Sequence, residues 1–539
     1  MGQEPFRRMG EMLAGSFVRG RRTNGPVHSP IVSVGERLFV DITPALRDPV
    51  GREIVERLTA VAESRSSVVI RKLALDPRFA ARSGSRVGSA RRIVPLAVRS
   101  RVPIFALHIL RSPDATRDRY VREIERATRL DLSPNATSAE RLDAFEKLIR
   151  SMPRFVMPRL LGLVVAGMLS YVAASRLLGD RATPQELQTL TLGLPHNPTT
   201  EMDLALWALA TGIRTDPASR EALLGRPPAE LAAAYRVGGL PRPLQDGLAA
   251  FLGRYGFRSI GEIDLGVPRW SEDPTHLLGA MGNYLQLGDG ALAPDAQFER
   301  GAREAEALIA TLLGRVRGPR RRVLRFLLGR VRAIMGSREL PKYTLIRRLF
   351  TPMRELLKPV GEELAAAGRF ESPDDIFFVT VDEARQALAG ADQREIVAAR
   401  RTTHARELAR RHVPRVLLSD GTDAEVALVD VPDGALRGSS ASPGVVTATA
   451  RVILSPQGAR LKPGEILVAP STDPGWTPLF LTAGGLVMEM GGMMSHGAVV
   501  AREYGIPAVV GVAGATERIA TGEEITVDGS AGVVSGGRL

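Results

Sequence analysis

Two patterns of apolar spacing divide the chain. Up to about residue 430, apolar residues recur three and four apart, the period of helices with one buried face. Ala144, Leu148, Met152 and Val156 make one such stripe, and Leu204, Leu206, Leu209 and Ile213 another. Thr137, with Glu140 three residues on, predicts a capping box opening a helix that runs through Arg150. Pro134, Pro153, Pro184, Pro195, Pro217, Pro227, Pro268 and Pro274 mark boundaries or kinks between helices. The turn Ser372-Pro373-Asp374-Asp375 predicts a short β-like segment over 376–380, and one more helix is predicted from Asp382 to near His412. Residues 160–175 carry no charge. That run is shorter than the roughly 20 residues a membrane span needs, so it reads as a core helix or as the lining of a pocket for a large apolar acceptor.

Beyond residue 437 the period changes. Residues 445–454, 465–469, 485–489, 508–512 and 524–527 are predicted strands separated by glycine and proline. One helix, 495–504, interrupts them, and Gly505 and Pro507 end it. The predicted architecture is multidomain: a mainly α-helical domain over 1–430, a linker over 431–442, and a small α/β domain over 443–539. No internal repeat is visible.

Composition narrows the classes. The chain has 539 residues and no cysteine, which excludes disulfides, thiolate metal sites and cysteine nucleophiles. The formal charge of +13 suggests a nucleic-acid binder at first sight. However, residues 437–539 hold seven basic and eight acidic groups, and only five of the 72 basic residues are lysine. An arginine skew of that kind follows from G+C-rich codons. The densest run, 315–332, interleaves arginine with Val323, Leu324, Phe326, Leu327 and Leu328, an amphipathic helix with a solvated basic face. Without aromatic platforms or a recognition motif, neither nucleic acid nor membrane is an expected partner. The first thirty residues show no signal-peptide pattern, so the expected location is the cytoplasm.

The chemistry concentrates in Gly491-Gly492-Met493-Met494-Ser495-His496-Gly497-Ala498, followed by Val499-Val500-Ala501-Arg502-Glu503. A glycine pair here precedes a histidine in the first turn of a helix, where free amides and the helix dipole favour an anion. A neutral imidazole at such a place is a good phosphoryl acceptor. Ser495 is placed to hold the other ring nitrogen or the phosphate, and Gly497 to leave room for an incoming group. A helix-capping histidine with no chemistry fits the spacing as well.

The whole string closely resembles the phosphohistidine swivelling domain of phosphoenolpyruvate-utilising enzymes, among them the rifampicin phosphotransferases. Ala441-Ser442-Pro443-Gly444, Gly464-Glu465-Ile466-Leu467-Val468, Thr472-Asp473-Pro474-Gly475-Trp476-Thr477-Pro478 and Val527-Asp528-Gly529 extend the likeness across the domain. The resemblance implies that His496 is transiently phosphorylated, with Gly491, Gly492, Ser495 and Gly497 around the phosphate. Only 43 residues follow His496. A pyruvate-binding (β/α)8 barrel needs about 200 or more, so pyruvate chemistry is not expected.

The helical part resembles the middle domain of the rifampicin phosphotransferases. The likeness lies in Gly193-Leu194-Pro195-His196-Asn197-Pro198-Thr199-Thr200-Glu201-Met202, in Arg254-Tyr255-Gly256-Phe257-Arg258 with Gly261-Glu262, in Pro268-Arg269-Trp270, and in Arg338-Glu339 with Lys342. It implies that Arg338 and Lys342 serve phosphoryl transfer, and it makes Asn197, Thr199, Glu201, Met202, Arg258 and Glu262 candidates for substrate binding. Four residues apart, Arg338 and Lys342 would share a helix face and grip one anion, provided that Pro341 lies in a first turn. Phe257 stands where relatives often carry histidine, and His28, His108, His196, His276, His404 and His412 read as structural.

An ATP-grasp domain would need about 300 residues ahead of the helical region, as the resemblance implies. The glycine- and serine-rich segment 83–89 lacks the Walker lysine. The expected activity is therefore that of a phosphotransferase subunit. It would receive its phosphoryl group from a separate ATP-grasp subunit that binds ATP and Mg²⁺, release AMP and phosphate overall, and pass the group to a hydroxylated small molecule, an antibiotic or a biosynthetic intermediate. The alternative is a non-catalytic protein that sequesters such a molecule. No metal site is expected in this chain.

Overall fold

The computed structural model describes residues 31–536 except 36, 63, 81–87, 89–97, 99–100, 287–292, 411–412, 426–435, 457–458, 460, 473–475 and 493–494. Among the sequence features singled out above, residues 431–435 of the linker, most of 83–89, Asp473-Pro474-Gly475, Met493-Met494, His28 and His412 lie outside the described residues.

A small hairpin, β1 (Ile31–Val34) and β2 (Arg37–Val40), leads into the helical part. Helix α1 (Val102–Arg111) precedes α2 (Ser138–Ser151), which opens on the predicted capping box. The Thr137 hydroxyl accepts from the Glu140 amide at 3.3 Å, and the Glu140 carboxylate accepts from the Thr137 amide at 2.8 Å. A π turn, Met152–Val156, carries the chain into α3 (Met157–Leu178), and the predicted stripe of Ala144, Leu148, Met152 and Val156 is buried throughout.

Helix α3 is long and apolar enough to cross a membrane, yet it has a packed face. Leu160, Leu163, Ala166, Ser170, Ala174 and Leu178 are buried, while Leu161, Leu169 and Val172 look outward. Small residues let its neighbours approach. A Cβ at Gly162 would sit 2.7 Å from Phe105 of α1, and one at Gly167 would sit 3.1 Å from the Met335 sulfur. Met335 ends a later helix, so the chain's apolar run is a core element between two others.

Helix α4 (Pro198–Gly212) has Asn197 as its N-cap. Helix α5 (Pro319–Met335) buries Leu324, Leu328 and Val331 and turns Arg320, Arg321, Arg322 and Arg325 to solvent, the solvated basic face that its sequence predicts. A 3₁₀ turn, Gly336–Glu339, joins it to α6 (Leu340–Leu345), and α7 (Thr351–Ala366) follows. The predicted β-like segment 376–380 is instead mostly a 3₁₀ turn, Pro373–Phe378. The Asp375 carboxylate accepts from the Glu371 and Ser372 amides at 2.9 and 3.1 Å, a cap that starts helical turns. The helix predicted from Asp382 is two, Val381–Leu388 and Arg394–Leu408, parted near Gly390, whose φ of +111° no helix accommodates.

The C-terminal domain is an eight-stranded mixed sheet in the order β3-β10-β9-β5-β6-β7-β8-β4. Its strands are β3 (Leu436–Arg437), β4 (Ser439–Ser442), β5 (Val445–Val452), β6 (Ile466–Ala469), β7 (Gly485–Met488), β8 (Ala508–Val510), β9 (Glu524–Asp528) and β10 (Val533–Gly536). β5 to β8 run parallel, and β6 and β7 are buried at every residue, as covered parallel strands require. All five predicted strands are present. β3 and β4 fall within 431–442, the span read as a linker, so residues 436–442 belong to the sheet. Their polar Ser-Ser-Ala-Ser sequence gives no apolar alternation to read.

The sheet uses period two to serve two cores. Ile466, Val468, Val487 and Val509 pack with Ile525, Val527 and Val534 on one side. Leu467, Ala469, Leu486 and Met488 face the other side, which carries the helix α8 (His496–Glu503) and runs on into Met202, Trp207, Leu248 and Tyr284 of the helical part. The two domains thus meet across a continuous apolar core.

Candidate active site

The site forms where α8 meets the turn between α5 and α6. Before α8 the chain closes a small loop, with the Ser495 amide and hydroxyl both donating to the Gly492 carbonyl at 2.9 and 2.8 Å. Gly491 adopts φ +122°, and a Cβ there would meet the Ser495 hydroxyl at 2.8 Å. Ser495 therefore spends its proton on the loop, where the sequence suggested a ring nitrogen or phosphate. Gly497 has a packing role: a Cβ would strike the Thr472 hydroxyl and sit 2.7 Å from the Met488 sulfur, so its missing side chain seats α8 on the sheet and clears no room for an incoming group.

His496 is the first residue of α8 and is mostly buried. Its Nδ1 stands 3.7 Å from Glu339 Oε2. The opposing turn is pressed against the loop before α4, because a Cβ at Gly336 would overlap the Pro195 carbonyl. Pro341 lies in the first turn of α6, where the missing amide costs nothing. Arg338 and Lys342 both act on Glu339, though each also has its own nearest carboxylate contact. Lys342 Nζ lies 3.3 Å from Glu262 Oε1, while Arg338 Nε lies 3.9 Å from Glu339 Oε1 and Arg338 Nη2 is buried without a hydrogen-bond partner.

Charge converges on Glu339. Burial pushes its carboxyl up, but His496, Arg338 and Lys342 outweigh that and hold it down to about 2. Burial lowers the Arg338 guanidinium, against the pull of Glu339 and Glu503. Behind Lys342, Arg258 and Glu262 form a fully buried bidentate pair at 2.7 and 3.1 Å. Burial of Glu262 is outweighed by Arg258 and Lys342, so this carboxylate too stays ionised.

The six residues proposed for substrate binding separate. Arg258 and Glu262 belong to the network that holds Lys342. Asn197 caps α4, its Oδ1 accepting from the Thr199 and Thr200 amides at 3.1 and 3.4 Å, and its Nδ2 donates to Glu503 Oε1 of α8 at 3.0 Å. Thr199 and Met202 are buried, Met202 in the shared core, and Glu201 is exposed on α4. Sequence reasoning passed over Glu339 and Glu503. Both stand inside the strings that carried the resemblance, and their charge beside an arginine was the available signal.

A cavity of about 200 Å³ opens beside the turn, lined by Leu163, Val164, Gly167 and Met168 of α3, Ile334 and Met335 of α5, and Arg338 and Glu339. The apolar run 160–175 thus lines a pocket as well as packing in the core. A wider groove of about 560 Å³, with Arg122, Arg126, Arg129, Arg347 and Arg348 on its walls, includes none of the site residues. Among the described residues no group of three or more histidine, aspartate or glutamate side chains is placed to hold a metal ion.

Residues 159–339 match the rifampicin phosphotransferase fourth domain, and residues 461–532 match the PEP-utilising enzyme mobile domain. A rifampicin phosphotransferase of Streptomyces sviceus is 41% identical over 355 residues, 64% of this chain and 40% of that protein. Another, from a Streptomyces species, is 34% identical over 524 residues, 94% of this chain and 58% of that protein. The prodigiosin synthesizing transferase PigC of Serratia marcescens is 30% identical over 446 residues, 79% of this chain and 49% of that protein. The chain thus spans about half the length of the curated relatives it matches.

Proposed function

Starting from a chain that carries a PEP-utilising enzyme mobile domain and a rifampicin phosphotransferase fourth domain, we propose that it transfers a phosphoryl group from His496 to a hydroxyl of a small apolar acceptor. The observation that carries this reading is the meeting of His496 with Glu339 at 3.7 Å, beside a cavity that is apolar except for Arg338 and Glu339.

With Nδ1 turned to Glu339, Nε2 is assigned to carry the group. The Glu339 carboxylate fixes the ring tautomer and stabilises charge on the imidazole as the P–N bond forms or breaks. In the transfer, the acceptor oxygen attacks phosphorus, the P–N bond breaks and its electron pair returns to the imidazole. The proton lost by the hydroxyl passes to the ring or to Glu339. Arg338 has a buried N–H without a protein partner, and it neutralises the three oxygens in flight. Lys342, tied to Glu262, adds positive potential from behind.

The acceptor belongs to the class named for the relatives, an antibiotic such as rifampicin or another hydroxylated natural product. The cavity is below the about 300–1,000 Å³ that holds drug-sized ligands, so a large acceptor places only its hydroxyl-bearing part there. The phosphoryl donor is ATP with Mg²⁺ on an ATP-grasp unit, carried by a separate subunit, with AMP and phosphate as the other products. The mobile domain works inside the cell, where ATP is available.

The test is intact-mass spectrometry of the full chain after incubation with ATP, Mg²⁺ and an ATP-grasp protein from the same source, under alkaline conditions. A gain of one phosphate that is absent in His496→Ala, and is lost again on adding rifampicin, supports the reading. Folded protein that takes no phosphate at His496 from any such partner overturns it.

A further inference from the structure

His496 and Glu503 are seven residues apart in α8, two helical turns, so both look out from the same side about 10 Å apart along the axis. Both side chains reach the helical domain. At the far end of α8 the Glu503 carboxylate takes two hydrogen bonds across the domain boundary, from Asn197 Nδ2 at 3.0 Å and from the Thr200 hydroxyl at 2.5 Å. Glu503 is 1% exposed, and Asn197 and Thr200 are as deeply buried. Asn197 is held rigid for this task, because its own oxygen caps α4. Arg338 lies within electrostatic reach of both Glu339 and Glu503, so one guanidinium acts on both contacts.

The boundary also carries a hydrogen bond from Arg415 Nη2 to the Glu489 carbonyl at 2.5 Å and is otherwise mainly apolar, with Trp476, Phe480 and Tyr504 packing with Met202, Trp207 and Tyr284. Apolar contact attracts without fixing a register. Something directional must choose the one orientation that brings His496 to Glu339. We propose that Glu503 is a positioning residue for the phosphoryl transfer, a register pin that fixes the α8 side of the docked mobile domain through Asn197 and Thr200. The role rests on the reading of His496 as phosphoryl carrier.

A buried polar pin suits a domain that must also leave. Burial pushes the Glu503 carboxyl up, and the Thr200 hydroxyl, Arg338 and Asn197 offset this only in part. Placing this carboxylate in the boundary thus has a cost, and its hydrogen bonds return specificity more than affinity. Arg502, its neighbour, serves the mobile domain itself by donating to the Ala441 carbonyl at 2.6 Å.

The chain has no cysteine, so a pair of introduced ones is unique. Arg242→Cys on the helical domain and Glu524→Cys on β9, both exposed, carry spin labels in the full chain, and pulsed electron resonance reads the distance between them. A single narrow distribution is expected in this background. Glu503→Ala is expected to widen it about twofold, with the docked distance still the main component, because the apolar boundary remains. Thr200→Val, which keeps shape and removes one donor, should widen it less, and Glu503→Gln should restore most of the narrowness. Unchanged circular dichroism and unfolding temperature separate a lost register from a lost fold. An unaltered distribution in both Glu503→Ala and Thr200→Val overturns the proposal. Loading of His496 by phosphoramidate, read separately by mass, tests the carrier: no phosphate there would sink the carrier reading while the distances still judge the pin.

Discussion

The two ends of α8 are held in different ways. At its start, His496 meets Glu339 across 3.7 Å, a contact too long for a hydrogen bond. At its end, Glu503 is bound at 2.5 and 3.0 Å. The end to which we assign the chemistry meets its carboxylate at longer range than the end without that role. A reacting nitrogen must exchange partners during the cycle, and contacts of this kind tighten only once substrate is in place. A register contact has no such duty and gains from being short. The opposing residues differ in the same sense. Glu339 lies on a 3₁₀ turn with a cavity beside it, whereas Asn197 and Thr200 sit at a capped, buried helix start.

That contrast breaks most completely in His496→Ala. Phosphate uptake by mass should vanish while the spin-label distance stays docked. Glu339→Gln should come next. Loading of His496 from a small donor persists, but transfer to the acceptor that supports wild-type turnover slows about 10²–10⁴-fold. Equal slowing of loading and transfer would deny Glu339 a role specific to the docked state. Arg338→Ala should slow transfer by about 10²–10³-fold, with partial recovery in Arg338→Lys, and an unaltered rate would mean that the guanidinium serves only the fold. Gly497→Ala touches the seat of both ends, because its methyl enters Thr472 and Met488. It should lower stability by about 1–3 kcal/mol in urea titration and widen the docked distance.

The smallest effect is a control at a residue that contacts neither α8 nor the turn carrying Arg338 in its hydrogen bonds. Glu272 receives Arg354 through two bonds of 2.8 Å, with Lys358 at 3.3 Å. Burial pushes this carboxyl up, but Arg354 and Lys358 outweigh it and hold it at about 2, below its ordinary 4.5. A depressed carboxyl stabilises the fold above the unfolded value, and the gain is lost as pH falls towards the folded one. Glu272→Gln should therefore be less stable by about 1–2 kcal/mol at pH 7, and the gap should close between pH 4.5 and 2, with transfer rates at neutral pH unaltered. A gap that stays constant down to pH 2 would contradict the charge origin.

Much of the fold could be read from local pattern. The capping box at Thr137, the stripe through Val156 and the five central strands each express a period that neighbouring residues share. The misreadings have physical causes. At Ile376, apolar content suggested a strand, but the Asp375 carboxylate captured two backbone amides and started a 3₁₀ turn. At Ser439, a strand formed from polar residues because its partner β8 offered backbone bonds. The candidate site divides in the same way: His496 was marked by its helix start, but the contact of Lys342 with Glu262 joins residues far apart in the chain, which no local spacing records.

By itself the sequence marked out one segment as the candidate for the chemistry, since a glycine pair, a serine and a histidine at a helix start owe their properties to adjacent residues. It also determined the helical and β-rich division, through periods of 3.6 and two. Only the tertiary structure decided what His496 faces, that α3 is at once core and cavity wall, and that Glu503 binds Asn197 across 306 residues of chain. The reason is range. Local spacing sets which way a side chain leaves its own helix or strand, but which partner waits there depends on how distant elements pack, and no period in the sequence records that.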